Sequence, residues 1–244
     1  MAAASSQQKF LSPTCRVSKV GGRSADGYGA WFMCTDGLGP QTGVLSVGIG
    51  GDISFDLALV RRFGASVRCF DPTISEADFE RLLGNASATA EERARVRFYP
   101  FGLAARNSVI PFYRSTNPIV HSLVSEPGLR GYAPAVYLRA PTLRLPQLLS
   151  VAGLERVDVL KADIEGAEWS VFNRSDVEMR RWLATSRVSQ LMLEFHDRFG
   201  GGGAQRRVVS FLASCGFTKR HEKRREDTLF VRTRAPTSEC WSSR

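Results

Sequence analysis

Short apolar runs alternate with amphipathic stretches along most of the chain, and this alternation predicts its secondary structure. Short, mostly apolar runs are typical of strands buried in a sheet. They occur at residues 44–47, 66–70, 95–99, 157–162 and 189–195, followed by a closing antiparallel pair at 217–220 and 228–232. Apolar residues recur at helical spacing at residues 54–63, 76–83, 145–152, 168–172, 177–184 and 205–215.

Strands that alternate with helices predict an α/β fold: a mainly parallel sheet with helices on both faces and an antiparallel strand at one edge. Ahead of this pattern, residues 15–43 are rich in glycine and aromatic residues and predict an arm or short hairpin packed on the domain. Residues 107–140 look irregular, with short strands around 110–113. We therefore expect one domain at 20–234, between a flexible tail at 1–19 and a second tail at 235–244.

Composition adds limits on the class of protein. The chain has 244 residues, is 43% hydrophobic and carries a formal net charge of +9, and these values suit one soluble α/β domain. A dense basic run at residues 219–225 is either a solvated strand and turn or a patch for an acidic partner. Because no aromatic residues interleave with it, the run argues against nucleic acid.

The sequence gives few signs of a compartment. No apolar stretch reaches eighteen residues, so no membrane span is predicted, and the N-terminus lacks the pattern of a signal peptide. These signs favour the cytoplasm, while a secretory lumen stays open if an upstream segment is missing. Cys15 and Cys34 could pair in an oxidising compartment, whereas Cys69 and Cys215 look like small core residues.

A glycine turn marks the candidate cofactor site. Gly48, Gly50 and Gly51 follow the first predicted strand and precede the first helix, where glycine lets the backbone approach a ligand. Asp71 lies 21 residues after Gly50, at the tip of the next strand, where an acid can accept the hydroxyls of a ribose. This arrangement predicts a cofactor that contains a nucleoside.

Several cofactors and reactions fit this site poorly. A dinucleotide fingerprint needs a third glycine where the chain has Ile53. The Tyr-x-x-x-Lys pair of short-chain dehydrogenases and the phosphate-binding P-loop are absent from the sequence, as are the motifs typical of enzymes that methylate nucleic-acid bases. S-adenosylmethionine, which offers ribose hydroxyls and no pyrophosphate, fits better.

Acidic residues at two neighbouring strand tips form the candidate reacting centre. Asp163 and Glu165 end one strand, Glu194 and His196 end the next, and Glu168 begins a helix, where the helix dipole favours an acid. Imidazole titrates near neutral pH, so His196 is the best single candidate for a general base. Alternatively, Asp163, Glu194 and His196 could hold a divalent cation that acidifies a substrate hydroxyl.

The acidic strand tip resembles a known signature. Residues 159–168, Val-Leu-Lys-Ala-Asp-Ile-Glu-Gly-Ala-Glu, resemble the motif of FkbM-type methyltransferases, which use S-adenosylmethionine. The resemblance spans residues 20–232 and extends to a eukaryotic branch of methyltransferase-like proteins. The segments that resemble this eukaryotic branch are Asp26-Gly27 with Trp31 and Cys34, Ser46-Val47-Gly48-Ile49, Phe70-Asp71-Pro72 and Leu193-Glu194-Phe195-His196. It implies a seven-stranded class I methyltransferase fold and transfer of a methyl group to oxygen.

We therefore expect an S-adenosylmethionine-dependent methyltransferase that acts on a hydroxyl of a small molecule or glycan. The predicted catalytic residues are Asp163, Glu165, Glu194 and His196. The predicted cofactor-binding residues are Gly48, Gly50, Gly51, Asp71, Pro72, Phe101, Gly102, Leu103 and Asp163. The competing interpretations are a basic RNA-binding methyltransferase and a non-catalytic scaffold that keeps the fold, and the sequence leaves the oligomeric state open.

Overall fold

A computed structural model describes residues 8–22, 28–115, 121–122, 132–154, 156–196, 203–223 and 227–242. Its strands are β1 Val17–Val20, β2 Trp31–Cys34, β3 Gly43–Val47, β4 Ser66–Phe70, β5 Val96–Tyr99, β6 Gly102–Leu103, β7 Ser108–Ser115, β8 His121–Ser122, β9 Tyr132–Leu143, β10 Val159–Ala162, β11 Gln190–Glu194, β12 Phe217–Lys223 and β13 Asp227–Arg232. Its helices are α1 Ser54–Phe63, α2 Glu76–Asn85, α3 Ala90–Arg95, α4 Leu145–Ala152, α5 Glu168–Val171, α6 Val177–Thr185, α7 Ala204–Ser214 and α8 Ser238–Trp241.

Seven strands form the main sheet in the order β12-β13-β11-β10-β3-β4-β5. The five strands from β11 to β5 are parallel, and β13 is antiparallel to both of its neighbours. The predicted mainly parallel sheet is confirmed, with one difference. The antiparallel strand β13 lies one place inside the edge, because β12 pairs with its outer side and runs with the other five strands.

The register of the sheet aligns the strand tips. Val47 pairs with Ala162 on one side and Phe70 on the other, and Ala162 pairs in turn with Leu193. The carboxyl ends of parallel strands meet at one edge of the sheet, where open α/β sheets place their ligands. The residues that follow these partners form a row along that edge: Glu194, Asp163, Gly48 and Asp71.

Each face of the sheet carries its own apolar core, because successive side chains of a strand point to opposite faces. Leu160 and Leu193 pack on one face against α4, α6 and α7. Val159 and Met192 pack on the other face against α1, α2 and the β1–β2 hairpin. This two-sided burial explains why the central strands are apolar on both faces.

The β1–β2 hairpin packs on the sheet, as its sequence predicts. Both strands are antiparallel, and Cys15 and Cys34 form a disulfide at its open end. The buried side chain of Gln190, on β11, accepts a hydrogen bond from the backbone N–H of Cys34 and donates one to its carbonyl, both at 2.8 Å. Gln190 therefore joins the hairpin to the main sheet.

Residues 107–140 depart from the predicted irregular segment. Within the described part of this segment, β7 pairs with β9 over most of its length, in a second sheet of order β6-β9-β7-β8. Pro111, Pro134 and Pro141 lie inside these strands, and proline within a run argues against a strand at the sequence level. Helix α3 was also not predicted; Arg95, assigned from sequence to a strand, is its last residue.

The ends of the chain also differ from the predicted tails. Leu11, in the expected N-terminal tail, is buried, and its N–H donates to the carbonyl of Arg232. At the other end, Cys240 in α8 is fully buried and forms a disulfide with Cys215. Cys69 and Cys215 are both buried core residues, as predicted; Cys69 is a free thiol, whereas Cys215 also forms a cross-link that was not predicted. No helix in the described part of the chain is long and apolar enough to cross a bilayer.

Candidate active site

The glycine turn after β3 lies directly against the tip of β10. Gly48 has a φ of 75°, and a Cβ added to it would lie 1.7 Å from the carbonyl oxygen of Asp163. Only glycine permits this left-handed backbone in contact with a neighbouring chain segment. Gly48 therefore brings the predicted cofactor turn next to the predicted reacting centre.

Lys161 supports the glycine turn, a role that the sequence interpretation missed. Its side chain is buried, donates to the carbonyl of Gly48 and lies over the ring of Trp31, with the ammonium 5.0 Å from the ring centroid. A lysine within an otherwise apolar strand was the available signal, because buried lysines need a specific partner. The contact also gives Trp31 a role in shaping the turn.

Asp71 connects the tips of β3 and β4. One carboxylate oxygen accepts the N–H of Gly50 at 2.8 Å, and the other accepts the N–H and the hydroxyl of Thr73 at 2.8 and 2.6 Å. A carboxylate oxygen can accept two hydrogen bonds, so the oxygen that faces Gly50 keeps capacity for a further donor. A Cβ at Gly51 would meet nothing within 4 Å, so there is open space beside this turn.

The other predicted cofactor residues lie close to Asp71. A Cβ at Gly102 would lie 3.1 Å from Pro72, which makes these two residues neighbours. Leu103 is buried in the core, whereas Phe101 is partly exposed. Phe101 is thus the residue of this segment whose side chain a ligand can reach. Asp52, just after the glycines, accepts the N–H of Ser54 at 2.7 Å, at the start of α1.

Four carboxylates surround the imidazole of His196, and we call these five residues the His196 cluster. Nε2 lies 3.2 Å from Glu165, 3.7 Å from Glu194 and 3.9 Å from Asp163. Nδ1 lies 3.0 Å from Glu168. The structure thus brings together all four predicted catalytic residues and adds Glu168 to them.

The chain turns sharply between β10 and α5, and this turn directs the acids toward one point. Glu165 has a φ of 48°, an uncommon value for a residue with a side chain, and Gly166 has a φ of 102°. Asp163, before the turn, keeps about a quarter of its side chain exposed. Its Oδ1 is buried and has no hydrogen-bond partner among the described residues. Oδ1 faces Nε2 of His196, so the exposed part of Asp163 lies at its other atoms.

Burial and charge set the protonation of the His196 cluster. Burial opposes a charged imidazole, but the hydrogen bond to Glu168 and the charges of Glu165 and Asp163 outweigh it and raise the pKa of His196 to about 10. Burial, together with the charge of Asp163, raises the pKa of Glu194 to about 9. At neutral pH the cluster therefore holds an imidazolium and a protonated Glu194.

One ligand atom each from Asp163, Glu165 and His196 lies within 4.8 Å of the others, a spacing that a divalent cation could bridge. A histidine binds a metal through the lone pair of a ring nitrogen. Both ring nitrogens of His196 instead lie within hydrogen-bond distance of a carboxylate. The geometry therefore favours a hydrogen-bonded imidazolium at this position.

The basic run at 219–225 lies on the edge strand β12, as far as the structure describes it. Lys219 lies 3.1 Å from Glu222, and Lys223 lies 3.7 Å from Asp227. The ring of His221 packs on Phe32, with the ring centroids 4.1 Å apart. The described part of the run is thus partly neutralised and packed, which does not favour an RNA surface.

Residues 43–219 match the family described as "Methyltransferase FkbM domain". The match covers more than half of the sequence, and it includes the glycine turn, Asp71 and the His196 cluster. The chain belongs to the FkbM methyltransferase family. A search of curated proteins gives no significant match.

Two solved structures resemble the fold. A methyltransferase FkbM from Methylobacillus flagellatus KT superposes with a TM-score of 0.51 at 13% identity, over 80% of this chain and 44% of that chain. An O-methyltransferase family protein from Burkholderia thailandensis gives a TM-score of 0.35 at 12% identity, over 82% of this chain and 54% of that chain. The chain therefore spans about half the length of these two proteins, and the first of them supports the same mixed α/β fold with a large, mostly parallel sheet.

Proposed function

We propose that the protein transfers a methyl group from S-adenosylmethionine to a hydroxyl oxygen of a small molecule or glycan, on a class I methyltransferase fold. The observation that carries the proposal is the contact between the glycine turn and the tip of β10. Gly48 lies against Asp163, whose side chain belongs to the His196 cluster. A nucleoside cofactor on the glycine turn would thus be next to a set of proton-accepting groups.

The residues present fit such a cofactor. Asp71 is buried at the next strand tip, keeps acceptor capacity for a ribose hydroxyl and holds the glycine turn through Gly50. The space beside Gly51 leaves the turn open to a ligand. S-adenosylmethionine, when bound, supplies an electrophilic methyl group on a sulfonium. The glycine turn would hold its methionine end, and Phe101 the adenine.

The chain's own part in the reaction is to orient the hydroxyl and accept its proton. A carboxylate of the His196 cluster suits the accepting role, because His196 contacts carboxylates through both nitrogens and holds its own protons at neutral pH. Asp163 is the best-placed acceptor, because its side chain is partly exposed while its Oδ1 faces Nε2 of His196 at 3.9 Å. His196 then stabilises the negative charge of Asp163 and Glu165, instead of acting as the base that the sequence predicts.

A polar cleft of about 1060 Å³ is lined by residues of α5, α7 and α8 and of their flanking turns. Arg174, Arg206 and Arg207 line it together with Trp169. Aromatic rings pack on sugar faces and guanidinium groups pair with acidic substituents. These side chains suit an acidic glycan, but none of the residues that line the cleft belongs to the glycine turn or to the His196 cluster.

The two disulfides favour an oxidising compartment over the cytoplasm that the sequence favours. Cys15–Cys34 and Cys215–Cys240 are both buried, and such bonds form in secreted and lumenal proteins. Peptide mass mapping without reductant, on protein purified from secreting cells, tests this assignment. Free thiols at all four positions would contradict it.

The cofactor assignment is tested by calorimetry with S-adenosylmethionine. Replacing Asp71 by Asn removes a charged acceptor, so we expect cofactor affinity to fall about 10- to 100-fold. Asp36→Asn is the matched control, because Asp36 is partly exposed and lies near Arg16, away from the row of strand tips. Unchanged affinity in Asp71→Asn, or no binding to the wild type, would contradict the proposal.

A further inference from the structure

We propose that Glu168 is a positioning residue: it fixes the imidazole of His196 with Nδ1 protonated, so that Nε2 donates to the other carboxylates of the His196 cluster. The sequence alone explains Glu168 by the helix dipole, as an acid in the first turn of a helix. The contacts of its carboxylate point to a different role. This inference rests on the proposed function, in which the His196 cluster accepts the proton of a hydroxyl.

Glu168 is held rigidly by the turn that precedes it. Its side chain is fully buried, one oxygen accepts the N–H of Ile164 at 3.3 Å, and the other accepts the N–H of Gly166 at 3.1 Å. Both donors belong to the β10–α5 turn that also carries Asp163 and Glu165. The carboxylate of Glu168 is therefore held by the same turn that carries Asp163 and Glu165.

The oxygen that faces Ile164 also lies 3.0 Å from Nδ1 of His196. A carboxylate with no proton can only accept, so this contact requires a proton on Nδ1. A hydrogen bond at one ring nitrogen fixes the orientation and tautomer of the ring. Nε2 is then directed at the opposite side of the cluster, where Glu165 lies at 3.2 Å.

Acidic groups face the ring from two of the described strand ends. Asp163, Glu165 and Glu168 come from the β10–α5 segment, Glu194 from β11, and Asp227 of β13 acts on Glu194. Lys223 in turn lies 3.7 Å from Asp227. The imidazolium therefore lies among four carboxylates, and Glu168 is the fully buried one that contacts Nδ1.

The test is a titration of the imidazole rings by NMR. The chain has three histidines, so selective ¹⁵N labelling gives a simple spectrum, and His121→Gln and His221→Gln assign the remaining signal to His196. We expect wild-type His196 to be protonated at both nitrogens at pH 7. In Glu168→Gln, we expect its proton affinity to fall at least tenfold, which is about one pH unit.

Glu165→Gln is the comparison variant, because Glu165 contacts the other nitrogen. It should also lower the proton affinity, but it should leave the proton on Nδ1. Glu168→Gln should instead allow the proton to move to Nε2 once the ring is neutral. A wild-type His196 that is neutral at pH 7, or that lacks a proton on Nδ1, would overturn the inference even if Glu168→Gln fails to fold.

The NMR titration and the calorimetric test report on different parts of the site. The NMR titration needs neither cofactor nor acceptor, whereas calorimetry reports cofactor binding at Asp71, outside the His196 cluster. In Glu168→Gln we expect cofactor affinity to change less than threefold and the pH dependence of methyl transfer to shift. If Glu168→Gln kept both the pH profile and the ring titration of the wild type, the positioning role would be overturned, whereas the proposed function would not be affected.

Discussion

At the scale of single residues, the site depends on buried side chains that hold other groups in position. Lys161 holds the carbonyl of Gly48, and Glu168 holds the ring of His196. Both are buried ionisable groups, which are costly unless they are paired. Both are paired: Lys161 with the carbonyl of Gly48 and the ring of Trp31, and Glu168 with two backbone N–H groups and His196.

Gly48 gives the sharpest residue-scale prediction. Gly48→Ala would place a Cβ on the carbonyl oxygen of Asp163 at a positive φ, so we expect the free energy of unfolding to fall by more than about 4 kcal/mol. Gly51→Ala is the matched control, because its Cβ meets nothing within 4 Å, and we expect a change below about 1 kcal/mol. Urea denaturation measures both; equal effects would contradict the described contact.

Sequence could predict the residues of the site better than their roles. Asp163, Glu165, Glu194 and His196 were predictable because parallel strands end at one edge of a sheet. The pairing of Glu168 with His196 was not, because the two lie 28 residues apart and the helix dipole already accounts for an acid at that position. The choice between base and imidazolium depends on distances that sequence does not contain.

At the scale of elements, the β1–β2 hairpin is attached through few polar contacts. Gln190 satisfies both backbone groups of Cys34 from the middle of the sheet, and Trp31 packs over Lys161. The hairpin therefore closes one face of the sheet below the glycine turn. Through Trp31 and Lys161, the hairpin thus contacts the residue that supports the glycine turn of the candidate cofactor site.

Replacing Gln190 by Leu tests this link. The change leaves the N–H and the carbonyl of Cys34 without partners, each at about 1–3 kcal/mol, so we expect stability to fall by about 2–5 kcal/mol. Gln147→Leu, at an exposed position on α4, should stay within about 0.5 kcal/mol. Amide hydrogen exchange should also speed up in β1 and β2; protection equal to the wild type would refute the docking role.

Elements with strong local signals were predicted well, and those that depend on distant pairing were not. Helices α1 and α4 and strand β4 have the predicted bounds, because apolar spacing and terminal glycines mark them. Strands β7 and β9 contain prolines and gain their stability from pairing with each other. A single sequence does not reveal such non-local partners.

At the scale of the whole molecule, the His196 cluster makes stability depend on pH. The pKa of His196 is raised from 6.5 to about 10, and that of Glu194 from 4.5 to about 9. In each case the folded state binds its proton more tightly than the unfolded state. Stability is therefore greatest below the unfolded pKa and is lost as pH rises through the folded one.

We accordingly expect the contribution of these two groups to the free energy of unfolding to decrease from about pH 4.5, where Glu194 begins to contribute, to about pH 10. Urea denaturation at a series of pH values measures the slope. The double variant His196→Gln with Glu194→Gln removes both groups and should give a flatter dependence over the same range. A stability that rises with pH in the wild type would show that the ring is held neutral.

The shared row of strand tips has a consequence for how this scaffold can change. Strand side chains alternate with a period of two. Deleting one residue from β10 would therefore turn Asp163 to the other face of the sheet and disrupt the His196 cluster. Insertions beyond the tips leave that alignment untouched. Changes in these loops can therefore alter which molecules bind, whereas the register of the strands has to stay fixed.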